Sequence, residues 1–201
     1  MTFEIISALA IFTLVSSLTP GPNNIMLMAS GMNYGVVRSV PHMLGIGIGF
    51  PMMVLLVGLG VSQIFEVIPY SYTSLKILCA IYLVYLAWQI ATAAPADLDI
   101  AHTTDNGKPL TFLQAASFQW VNPKAWTMAL TAISLYTPPE RPFYSIVTVV
   151  LAFMLSATVS TSFWTVLGQQ IRRLIGDPYK LRIFNIACAV LLVTSLLPIL
   201  S

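Results

Sequence analysis

Two short stretches carry polar chemistry into otherwise apolar sequence. The first, LTPGPNNIM (Leu18 to Met26), sets two prolines, a glycine and two asparagines between greasy runs. Proline lacks the backbone N–H and disturbs the carbonyl one turn earlier, so the chain at Pro20-Gly21-Pro22 is expected to leave the helix. Thr19 is the expected N-cap of a half-helix that starts near Pro22. Such a start carries unpaired N–H groups and the positive end of the helix dipole, which suit an anionic group such as a carboxylate. Asn23 and Asn24 add side-chain donors and acceptors. The second stretch, FQWVNPKAWTM (Phe118 to Met128), brings Asn122, Pro123 and Lys124 into another apolar run. An ammonium at membrane depth is costly to keep, which favours a site role for Lys124 over snorkelling to an interface. Thr19, Pro20, Gly21, Pro22, Asn23, Asn24, Asn122, Pro123 and Lys124 form the candidate substrate-binding set. Lys124 and His42 are the candidates for proton coupling, with hydrogen bonding near the membrane edge as the plainer role for His42.

The medium around these residues follows from composition. Of the 201 residues 57% are hydrophobic and 8% charged, and the mean hydropathy is +0.84. That leaves too little polar surface to cover a water-soluble globule, so the expected setting is a lipid bilayer. A net charge of +2 gives no basis for a nucleic-acid partner. Cys79 and Cys188 sit in apolar runs without metal-site spacing and read as small core residues.

A spanning helix needs about 20 apolar residues, and six candidate spans run over 3–32 (broken), 40–62, 71–92, 113–136, 143–167 and 183–200. The expected fold is an all-α membrane protein, one six-span domain with halves 1–92 and 113–201 joined by the polar linker 93–112. The first span lacks a basic flank before Arg38, so it is read as a helix and not as a cleaved signal. Loops after spans one, three and five hold Arg38, Lys108, Arg172, Arg173, Lys180 and Arg182, against Arg141 and Lys76, the latter just inside the start of span three, on the even-loop side. Positive residues stay cytoplasmic, so both termini are expected on the periplasmic side.

Pro20 and Pro123 lie 103 residues apart, as do Arg38 and Arg141. That coincidence predicts a 3+3 repeat whose second copy is inverted, an arrangement that brings broken helices one and four together near the midplane. Gly45 and Gly49, spaced as small-xxx-small, are assigned to close helix packing. The Tyr82, Tyr85 and Trp88 stripe and the pair Trp120 and Trp126 are read as packing or interfacial aromatics.

No H-E-x-x-H, G-x-S-x-G or paired intramembrane carboxylates occur in the spans, which argues against an enzyme. No metal or cofactor is expected. A structural subunit gains nothing from unwound backbone at membrane depth, whereas a gated channel stays open as a different class.

With Thr19-Pro20-Gly21-Pro22-Asn23 late in span one, Gly45, Gly47 and Gly49 in span two, and Asn122-Pro123-Lys124 in span four, the chain resembles the LysE/RhtB family of small bacterial exporters over nearly its whole length. TPGPNNI with YLVYLAWQIAT (residues 82–92) is most similar to the cysteine/O-acetylserine branch. The resemblance implies an inner-membrane exporter of small neutral amino acids or derivatives, coupled to protons. A homoserine, threonine or homoserine-lactone exporter of the same family is the alternative. Its expected partners are an amino-acid substrate, protons and lipid, and a homo-oligomer is compatible with it. No span centre offers an Asp or Glu for a second ammonium, since Glu4 and Glu66 lie near span ends, so neutral amino acids are expected ahead of lysine.

Overall fold

The computed structural model describes residues 2–63, 67–93, 108–138, 142–175 and 177–197. Glu66, Arg141 and the 94–107 part of the polar linker, with His102, lie outside the described residues. All regular structure among the described residues is helical: α1 (Phe3–Leu18), α2 (Pro22–Gly58), α3 (Ser71–Thr92), α4 (Phe112–Phe118), α5 (Pro123–Tyr136), α6 (Pro142–Ile175) and α7 (Pro178–Thr194), with one-turn 3-10 helices at Val61–Gln63 and Gln119–Val121. Helices α2 and α6, and Thr73–Thr92 within α3, are long and apolar enough to cross a membrane, and α1 is a shorter apolar helix.

The burial pattern is that of a chain solvated by lipid. Asn24, Asn33, Gln119, Asn122, Ser160 and Asn185 are buried, while Ile11, Val15, Ile81, Leu155 and Leu191 face outward. Polar groups turn inward because hydrocarbon offers them no hydrogen bonds.

The first span is broken where the prolines stand. α1 ends at Leu18 and α2 starts at Pro22. Thr19 does not cap the second helix. It is the C-cap of α1, its hydroxyl bonds back to the Val15 carbonyl at 2.6 Å, and the extended Gly21 holds the N-cap position of α2. Thr19 could cap α2 only if that helix began at the very next residue, but Pro20 and Pro22 hold the backbone between them extended.

The expected loop between spans one and two is a single residue. Gly35, with φ 77° and ψ 169°, interrupts α2, and helix resumes through Arg38 and Pro41. A side chain is strained at that φ, so glycine fits the kink. Helix α6 supplies the partners freed there: Gln169 Oε1 accepts from the Val36 N–H at 2.7 Å, and Arg172 donates to the carbonyls of Met32 and Asn33 at 3.2 and 2.9 Å. Arg172, read from sequence as a topology signal alone, therefore also closes a helix end.

Helices α2 and α6 form the centre of the molecule. A methyl group on Gly31 would overlap the Thr165 carbonyl, and one on Gly168 would overlap the Met28 carbonyl, so the two backbones touch at both glycines. Helix α4 packs on the second half of α2. A methyl on Gly45 would stand 2.5 Å from the Phe112 carbonyl oxygen and one on Gly49 2.6 Å from Ala116 Cα, whereas one on Gly47 meets nothing within 4 Å. A core of Leu9, Phe50, Met53, Trp126 and Phe153 ties α1, α2, α5 and α6 together, with Phe50 and Phe153 edge to face at 4.9 Å. Cys79 and Cys188 are buried free thiols.

Candidate functional site

The two breaks meet. Residues Pro22 and Pro123 each occupy the first turn of a helix, α2 and α5, and their offset of 101 positions differs from the 103 drawn from Pro20. Lys124 reaches across from α5, and its ammonium donates to the carbonyls of Thr19 and Pro20. Its stem lies over Gly21, where a Cβ would stand 2.7 Å from Lys124 Cδ, so any larger residue there would push the lysine aside. Asn23 and Gln119 exchange two amide hydrogen bonds, at 2.8 and 3.2 Å, and Gln119 also donates to the Ala115 carbonyl.

Carbonyls opened by the first break find side-chain donors. Asn24 donates to Ser17 and Thr19 oxygens at 2.7 and 2.8 Å, Ser160 to that of Ser17 at 2.7 Å, and Trp164 to that of Leu18 at 3.2 Å. With Lys124 on Thr19 and Pro20, the unwound carbonyls from Ser17 to Pro20 each accept at least one bond, as backbone in hydrocarbon requires. An ammonium of the protein's own therefore already sits on two of these carbonyls.

The helix starts differ. At α5 the Asn122 side chain accepts from the Lys124 N–H at 3.1 Å, so the helix caps itself. At α2 the N-cap is Gly21 and no side chain caps the first turn. That uncapped start faces a cavity of about 40 Å³ lined by Gly21, Asn23, Asn24, Asn122, Lys124 and Ser160, among others. Ser17 also lines it, and its buried hydroxyl has no partner among the described residues. The cavity is too small for an amino acid, so the site is closed down in this conformation. Its chemistry is nonetheless defined: a positive helix end and an ammonium for an anion, and amides and a free hydroxyl for polar neighbours.

Sequence reasoning missed Gln119, Ser17, Ser160 and Trp164. Gln119 had a signal, since a neutral amide one turn before an Asn-Pro break in an apolar span requires a partner. Ser17 and Ser160 had none, because serine is common in membrane helices. His42 does not join the two breaks. It is buried and lines a separate cavity. Trp120 and Trp126 pack against each other, ring centroids 6.0 Å apart, and the Trp126 indole donates to the Trp120 carbonyl, so both serve to fix the second break.

The family model for LysE type translocators matches residues 14–195. The chain belongs to that family. Similar relatives are the cysteine/O-acetylserine efflux proteins of Escherichia coli O1:K1 / APEC, 34% identical over 195 residues, and of Escherichia coli strain K12, 32% identical over the same length; each alignment covers 96% of both chains. The cysteine/O-acetylserine efflux protein of Shigella sonnei strain Ss046 is likewise 32% identical. No solved structure matches the chain. As a LysE type translocator it is a membrane transport protein, and both proline breaks lie within the matched residues.

Proposed function

We propose that this LysE type translocator is a proton-coupled secondary exporter of small neutral amino acids or their derivatives, of the cysteine and O-acetylserine kind, in the bacterial inner membrane. The observation that carries this reading is the meeting of two broken helices around a pocket lined by Asn23, Asn24 and Asn122, with an uncapped helix start and the Lys124 ammonium side by side. In transporters, discontinuous helices present such ends to the charged groups of a substrate. The relatives' names supply the direction and the chemical class.

The substrate carboxylate docks against the α2 start and Lys124. Its ammonium then competes for the Thr19 and Pro20 carbonyls that Lys124 leaves as it turns toward the carboxylate. The exchange keeps every charge paired, which a buried site demands. The mechanism proposed is alternating access between two inverted three-helix halves of a six-span domain, a reading supported by the breaks at the start of α2 and of α5, and it exposes the pocket to each side in turn. Lys124 is the proton-exchanging group best placed to couple this movement to a proton gradient, because it contacts both breaks.

Everted vesicles, or proteoliposomes with an imposed pH gradient, test the reading. Radiolabelled O-acetylserine, cysteine and homoserine should move uphill when the gradient is applied and stop when it is collapsed, with lysine moving at least tenfold more slowly. Transport of none of these would refute export of this class, and gradient-independent movement only down the concentration difference would identify a channel.

A further inference from the structure

Among the described residues, a substrate-sized space lies away from the breaks. A cavity of about 380 Å³ lies near the Gly35 kink and is lined by Ser30, Asn33, Tyr34, His42, Gln89 and Lys108, among others. Its volume falls within the range of about 300–1,000 Å³ of small-molecule sites. His42 stands in its wall, 1% exposed, and neither ring nitrogen has a hydrogen-bond partner among the described residues. A buried imidazole with both nitrogens unpaired is expensive to keep unless a ligand or water completes it. Its neighbours do not complete it: Ser30 and Ser39 are paired to each other at 2.9 Å, and Asn33 is paired to Asn185 at 2.9 and 3.0 Å.

We propose that this cavity is a second binding site for the transported amino acid, a vestibule that receives the substrate before the pocket at the helix breaks. The inference rests on the exporter reading above. Its chemistry matches a small zwitterion with a polar side chain. Neutral imidazole offers one donor and one acceptor, and Gln89 and Tyr34 add more. Lys108 is the charged group among the lining residues, so the carboxylate is drawn to its side, and among the described residues no acidic side chain lines the cavity to hold a second ammonium. An apolar cluster of Leu27, Ile46 and Ala115, with Leu110 and Met43 packed on it, touches both spaces, Leu110 lining the vestibule and Ile46 the central pocket, and in this proposal it acts as the collar between them. The substrate therefore waits at His42 until the collar parts.

Binding of radiolabelled O-acetylserine to the purified full-length protein in nanodiscs provides the test, with vesicle efflux measured on the same variants. The wild type should bind two molecules per chain. His42→Leu should bind one and lower efflux at subsaturating substrate about tenfold, whereas His42→Gln, which keeps a donor and an acceptor, should retain two. Asn23→Ala should leave one site, the vestibule. One molecule per chain in the wild type, unchanged in His42→Leu while efflux proceeds normally, would overturn the vestibule and leave the exporter reading intact. If neither binding nor efflux occurs in the wild type, the exporter reading falls and the vestibule with it. Loss of all binding in His42→Leu, in protein that is monodisperse and as thermally stable as His42→Gln, would place His42 in the single site and contradict two separate ones.

Discussion

At the scale of single residues, the centre of the molecule is an exchange of hydrogen bonds between two distant segments. Asn23 and Gln119 are 96 positions apart and pair through both amide groups. Hydrogen bonds between membrane helices are worth roughly 0.5–2 kcal/mol each, less than intuition suggests, because the separated helices also find partners. Asn23→Ala and Gln119→Ala should therefore insert and fold with a modest loss of thermal stability, and a double-mutant cycle of melting midpoints should return a coupling of about 1 kcal/mol. Asn23→Ala should nevertheless cut O-acetylserine efflux at least tenfold, since Asn23 also lines the pocket. Zero coupling would separate the two amides energetically. Which residues take part was partly legible in the sequence. Asn23, Asn122 and Lys124 stood out because amides and a charge are costly in apolar spans. Ser17, Ser160 and Trp164 did not, because their roles depend on which carbonyls the break exposes, and that is fixed only by packing.

At the scale of elements, the helices were easier to read than their ends. Apolar length and proline located the break before α2 and the one before α5, but the cap at the first is Gly21 and not the expected Thr19, since a cap depends on dihedrals that Pro20 and Pro22 constrain jointly. The connection near Arg38 was expected as a loop and is the Gly35 kink, because Gln169 and Arg172 of α6 satisfy the freed backbone groups and no polar loop is needed. The glycines that matter most carried no signal in the sequence. Gly31 and Gly168 let α2 and α6 touch, and even a methyl group at Gly168 must push the Met28 backbone aside. Gly168→Ala should cost about 1–3 kcal/mol and lower the melting midpoint by several degrees. Gly47→Ala, where a methyl meets no atom, should be neutral or slightly stabilising through helix propensity. Equal melting curves for the two variants would contradict the packing of α2 on α6.

At the scale of the whole molecule, composition dictated a membrane protein before any motif was read, and the buried amides beneath an apolar exterior agree with it. The sidedness proposed from the Lys and Arg distribution puts both termini in the periplasm. A C-terminal alkaline phosphatase fusion should be active and the matching GFP fusion dark; the opposite pair of results would invert the molecule. The central claim is that the two proline breaks, brought together by the fold, make one substrate pocket. Single cysteines at Ser17 on α1 and Met128 on α5, two residues that line the pocket from its two sides, test it most directly, in a Cys79→Ser, Cys188→Ala background that still transports. A small thiol reagent should label both, and O-acetylserine at a saturating concentration should slow labelling of both at least severalfold with the same concentration dependence. Protection of only one, or of neither while the protein still exports the substrate, would contradict a shared pocket.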